Sequence, residues 1–176
     1  IGSDLPSSFF YLSLSNTVGG AIFHDGNLLP GDAFRCGEAG HMTLIPDGKP
    51  CYCGKTGCVD AYCSARVLSD LSGGRLEDFF LGLQQNNREY RPVWDTYLKH
   101  LAVVINNLHM LLDYDIVLGG YVGSFLTPWL DTIRHLVSER NTFEDDGSFV
   151  KLCTYQTGAA AYGAAMDVME GFLRTV

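Results

Sequence analysis

Four side chains able to hold a soft or borderline metal lie close together: His41, Cys51, Cys53 and Cys58. A Cys-x-Cys pair followed by a third thiol suits a tetrahedral Cys3His zinc site, with Zn–S near ~2.3 Å. Gly54 and Gly57 fall between these ligands, and glycine reaches the positive φ angles that a tight metal knuckle demands. Four protein ligands leave no open coordination position, so the metal is expected to be structural. Buried thiols or a disulfide are the alternative. The closeness of three cysteines, the preceding histidine and the interleaved glycines favour zinc. Cys36, Cys63 and Cys153 lack such company and read as small buried hydrophobes.

Elements that can position this cluster are legible on either side. The segment 8–14 is rich in aromatics and reads as a strand, and 18–24 as a second. Asp25-Gly26 is a hairpin signal, with 27–29 as the return strand. Residues 30–57 are dense in Gly, Pro and Cys without periodicity, and a stretch that long needs something to order it. Helices are expected over 59–71, 75–85, 92–113, 126–140 and 158–173, with strands at 116–118 and 149–155. Alternating strands and helices imply an α/β fold. The acidic loop 141–148 reads as solvated and carries no functional weight.

The chain has 176 residues, 47% of them apolar, enough for one domain or one lobe with a sizeable core. A net charge of −8 argues against broad nucleic-acid binding by this segment. No apolar run reaches the ~20 residues of a membrane span. Without a signal-peptide pattern, six cysteines fit a reducing compartment, and a cytoplasmic location is expected. The chain begins with Ile1 rather than Met, so the natural protein is expected to start earlier.

The run Gly37-Glu38-x-Gly40-His41, followed by Cys51-x-Cys53-Gly54-x-x-Gly57-Cys58-x-Asp60, resembles the signature of the ROK family, which groups bacterial sugar kinases with sugar-responsive transcriptional repressors. The resemblance implies an actin-like (ribonuclease H-like) fold of two α/β lobes around a sugar cleft. The whole of 1–176 would be most of the second, C-terminal lobe, with a zinc-binding loop at about 37–60. It implies that Glu38 accepts hydrogen bonds from sugar hydroxyls, and that His41 gives one ring nitrogen to zinc and the other to a hydroxyl. Asp60 stands where the family usually has Glu, also a sugar ligand. Charge-assisted hydrogen bonds make carboxylates good partners for paired hydroxyls. A surface or turn-capping role remains the alternative for Glu38, and a place in the first turn of a helix for Asp60.

The family's nucleotide loops map onto Thr17, Gly19 and Gly20, and onto Gly119 and Gly120. Ser15 and Asn16 replace the leading glycines, and Tyr121 adds bulk after the second pair. Nothing in 1–8 matches the family's catalytic Asp motif. The weakened loops favour the sugar-sensing lobe of a repressor, with DNA bound through a domain outside this chain. The alternative is the C-terminal lobe of an ATP-dependent hexose or N-acyl hexosamine kinase, which would use ATP and Mg2+. A sugar or sugar phosphate is the expected ligand in either case. The resemblance also implies a homo-oligomer, with Phe79-Phe80 and the helix 92–113 as candidate contact surfaces; for most of their apolar positions the preferred reading is that these helices simply cover the sheet.

Overall fold

The computed structural model describes residues 6–155 together with Gly158, Ala161, Gly163, Ala165 and Met169. The predicted last helix, 158–173, lies for the most part outside the described residues. Five strands form one sheet: β1 (Phe9–Leu14), β2 (Val18–His24), β3 (Asn27–Leu29), β4 (Asp115–Gly119) and β5 (Val150–Leu152), in the order β3-β2-β1-β4-β5. β2 runs antiparallel to both β1 and β3, while β4 lies parallel to both β1 and β5. Asp25 and Gly26 both take positive φ, 48° and 76°, as a two-residue hairpin requires. β5 covers only part of the expected 149–155 strand.

Helices among the described residues accompany the sheet: α1 (Asp60–Cys63), α2 (Arg66–Ser69), α3 (Leu76–Gln84), α4 (Tyr90–Leu112), α5 (Gly120–Gly123) and α6 (Leu130–Ser138). The single helix expected over 59–71 is broken in two. Ser64 is extended (φ −74°, ψ 158°), and the Ala65 N–H donates to the Ser15 carbonyl at 2.7 Å. The end of β1 therefore takes a backbone donor that helical continuity would have used. The expected 126–140 helix is likewise divided, because Pro128 opens a 3-10 turn at Thr127–Trp129 before α6.

The core joins one face of the sheet to α3, α4 and α6. Leu12, Leu14, Ile116 and Leu118 are fully buried against Leu98, Leu101 and Ile105 of α4. Phe79 and Phe80 are buried too, at 0% and 4% exposure, stacked on Tyr90 and Phe125 respectively. The aromatic area of this pair is spent in the core, as expected of a helix that covers the sheet, and not on a contact surface. Most apolar positions of α4 are similarly consumed, and Leu111, 76% exposed, is an exception near its end.

Candidate sugar and metal site

The segment between β3 and α1 is a compact knuckle pinned to the start of β2. Gly54 (φ 84°) and Gly57 (φ 79°) turn its backbone, and a Cβ at Gly57 would strike the Ile45 carbonyl. The Cys51 N–H donates to the Lys55 carbonyl, the Gly54 N–H to Cys51, and the Leu44 N–H to Gly57. These turns bring one ligand atom each from His41, Cys51, Cys53 and Cys58 within 4.8 Å of one another. The Cys53 and Cys58 sulfurs are 3.7 Å apart. Two thiolates at ~2.3 Å from a tetrahedral ion stand about 3.8 Å apart, whereas a disulfide needs about 2.05 Å. All six cysteines are free. The ligand types and spacing of the quartet would suit a zinc ion, and the Cys53 and Cys58 sulfurs stand too far apart for a disulfide. Cys63 and Cys153 are buried, as expected for small hydrophobes; Cys36 is only half-buried.

Glu38 precedes a 3-10 turn, Ala39–His41, that carries His41. Its side chain makes no capping hydrogen bond and, among the described residues, no ion pair. Its carboxylate is exposed and open to a ligand. Asp60 behaves differently. It is 6% exposed, opens α1, and its Oδ1 accepts the Val18 N–H at 2.6 Å. One oxygen of Asp60 thus fastens the knuckle to β2. Asp60→Ala is expected to cost about 1–3 kcal/mol by orphaning that N–H. Urea midpoints at unchanged slope would measure it, and Asp60→Asn, whose amide oxygen still accepts from Val18, should recover much of the loss.

Sequence reasoning missed Tyr52. Its hydroxyl lies 3.2 Å from His41 Nε2, with the rings edge to face at 5.4 Å. Desolvation, then the Asp60 carboxylate, Cys51 and Glu38, push the phenol above its ordinary value. It therefore stays a donor at neutral pH. The available signal was its position inside the Cys-x-Cys pair, which obliges it to share the knuckle's surface.

The glycines of the expected nucleotide loops divide into two kinds. Gly20 has no side chain because a Cβ would meet the Phe10 ring and the Tyr11 carbonyl, and Gly119 packs against the Tyr11 ring. Packing accounts for both. Gly120 (φ 78°) turns β4 into α5 against Leu14 and Ser15, whereas a Cβ at Gly19 would meet open space. Thr17 is exposed in the β1–β2 turn. The Tyr121 N–H donates to Ser15 Oγ at 3.4 Å. The two glycine segments therefore meet at residue 15, at the carboxyl ends of β1 and β4. Beside them opens a hollow of about 320 Å³ lined in part by Asn16, Ser69, Glu77, Tyr121 and Ser124. Tyr121 stands at its rim, 46% exposed, and does not fill it.

The sequence model of the ROK family matches residues 3–170. The chain belongs to the ROK family. It is 28% identical over 164 residues to an N-acetylmannosamine kinase of Salmonella typhi, covering 89% of this chain and 55% of that protein. The chain spans about half the length of the curated relatives it matches. Among solved structures, a ROK family glucokinase from Streptomyces griseus in complex with glucose and AMPPNP superposes with a TM-score of 0.74 at 21% identity, covering 90% of this chain and 59% of that one. A ROK family transcriptional regulator, a homologue of the E. coli MLC protein, superposes with a TM-score of 0.67 at 22% identity, covering 84% of this chain and 41% of that one. The mixed α/β fold is thus the one ROK proteins share. No described helix is long and apolar enough to cross a membrane.

Proposed function

We propose that this ROK chain is the second, C-terminal lobe of an ATP-dependent kinase acting on a hexose or an N-acyl hexosamine. What carries the reading is a juxtaposition at one end of the sheet. Glu38, without a side-chain partner among the described residues, and the His41–Tyr52 pair lie on a segment packed against the start of β2, and the 320 Å³ hollow opens at the neighbouring ends of β1 and β4. Curated relatives that are N-acetylmannosamine kinases support it further. They outweigh the argument from weakened loops for a repressor, since Tyr121 leaves the hollow open.

In this reading Glu38 accepts sugar hydroxyls and His41 orients another. The buried Asp60 offers the oxygen not used by Val18. Zinc held by His41, Cys51, Cys53 and Cys58 supplies rigidity rather than reactivity. ATP, with Mg2+, would supply the phosphoryl group; Ser15, Thr17, Gly19 and the turn at Gly119-Gly120 offer donors toward its phosphates. Orientation and exclusion of water are what this lobe contributes. The base for the sugar hydroxyl is assigned to the other lobe.

Full-length protein given ATP and a panel of glucose, N-acetylglucosamine and N-acetylmannosamine should release ADP with at least one sugar. The 176-residue chain alone should form no sugar phosphate above background. Sugar binding by the full-length protein without any turnover would instead support the repressor reading, for which Ser15 and Asn16 in place of glycines remain the specific observation.

A further inference from the structure

A second concavity lies behind the knuckle, and none of Glu38, His41 or Asp60 lines it. It measures about 310 Å³ and lies between the Lys49 loop, α1, α2 and the first half of α4. That volume is at the small end of ligand sites, ~300–1,000 Å³. Its floor is the buried Tyr62, whose hydroxyl accepts the Lys49 N–H at 2.6 Å. The Lys49 ammonium stands 5.2 Å from the centre of the Tyr62 ring. The His100 ring meets the same ring edge to face at 5.0 Å. Val67, Pro92 and Val93 complete an apolar wall.

An ammonium and an imidazole thus line one hollow, in a chain with 20 acidic residues against 12 lysines and arginines. Among the described residues neither Lys49 nor His100 forms an ion pair. Burial, and then the Lys49 ammonium, hold the His100 imidazole below its ordinary value, as a like charge without an intervening anion does. Surface lysines normally sit in water or beside a carboxylate; here the ammonium is drawn over an aromatic floor next to an imidazole. An anion seated between them would satisfy both, with its carbon skeleton on the apolar wall. A dianion gains more than a carboxylate from the ammonium, with the imidazole N–H as a second donor.

We propose that this hollow binds the phosphate group of a small phosphate monoester, held by Lys49 and His100 over Tyr62. The site is separate from the proposed sugar site and does not depend on its function. Lys49 is contributed by the zinc-binding knuckle, so an occupant would bind the knuckle to α4.

Calorimetry on the zinc-loaded full chain, with saturating free sugar present, would test it using inorganic phosphate, glycerol 3-phosphate, glucose 6-phosphate and acetate. At least one phosphate monoester should bind, and Lys49→Gln/His100→Gln should weaken it at least tenfold. Lys99→Gln, a change of equal charge at the adjacent position on α4, should leave affinity unchanged. Lys49 is exposed, so Lys49→Gln alone serves if the double variant is unstable. Binding of glucose 6-phosphate alone would identify the source as a kinase product, and binding of all three phosphates would identify the phosphate head as sufficient; both support the site. Absence of phosphate binding, equal affinity in the double variant, or acetate bound as tightly as the phosphates would overturn it.

Discussion

Cys58→Ser, or exhaustive chelation, is expected to lower the melting temperature by roughly 8–16 °C and to weaken sugar binding at the same time. The stability part follows from what else orders the segment between β3 and α1. Among the described residues it holds one three-residue 3-10 turn and two isolated bridges, Thr43–Cys58 and Pro50–Thr56. Much of it is exposed, so buried apolar area cannot hold it. Losing a structural metal belongs to the large class of destabilisations, on the order of 4 kcal/mol. Each kcal/mol shifts Tm by about 2–4 °C in a chain of this size. The sugar part follows because His41 is a ligand of the same cluster and Glu38 lies on the same turn. Without a cation, desolvation and then its neighbouring thiols push Cys58 up to about 12. Binding zinc must therefore expel protons, and zinc affinity should fall as pH falls. Metal content by atomic emission and proton release in weak buffer check both points. Cys36→Ser, outside the quartet, should retain the metal. A metal-free sample with unchanged Tm and sugar affinity would sink the proposal.

Glu38→Gln is expected to weaken sugar binding about 100-fold while leaving thermal stability unchanged. Two hydrogen bonds from hydroxyls to a charged carboxylate are together worth roughly 3 kcal/mol, which is about two decades of affinity. Glutamine keeps the shape and one acceptor but loses the charge. The unchanged stability follows from the structure: the Glu38 carboxylate has no protein partner among the described residues, so its removal orphans nothing. Asp60 makes the contrast, since its loss should lower stability and affinity together. Calorimetry with the preferred sugar and a thermal melt of the same sample separate the two outcomes. Equal affinities of the parent protein and the Glu38→Gln variant would remove Glu38 from the site.

Local chemistry made some of this plain in the sequence. The hairpin at Asp25-Gly26 is written in residues that readily tolerate its φ angles. The candidate metal quartet is legible because metal ligands must be of few types at short spacing. The strand 9–14 shows in its aromatic composition, the strand 18–24 in the turn signal that follows it, and the long helix shows its period directly. By contrast, the break at Ser64 was hidden, because it arises from the Ser15 carbonyl, remote in sequence. The acidic loop dismissed as solvated sends Glu144 to His109 Nε2 at 2.8 Å, a tie that no loop composition reveals.

The cluster of His41, Cys51, Cys53 and Cys58, and the family to which the chain belongs, were determined by the sequence itself, since ligand identity and spacing carry that information. Tertiary structure alone decided how those residues are used. It placed Tyr52 on His41, tied Asp60 to Val18, left Glu38 without a side-chain partner among the described residues and sank Phe79 and Phe80 into the core. It also gave Gly20 and Gly119 a packing reason to be glycine, beside the Phe10 and Tyr11 rings. Each of these depends on a neighbour supplied by another part of the fold, and periodicity along one segment cannot report what another segment brings to it.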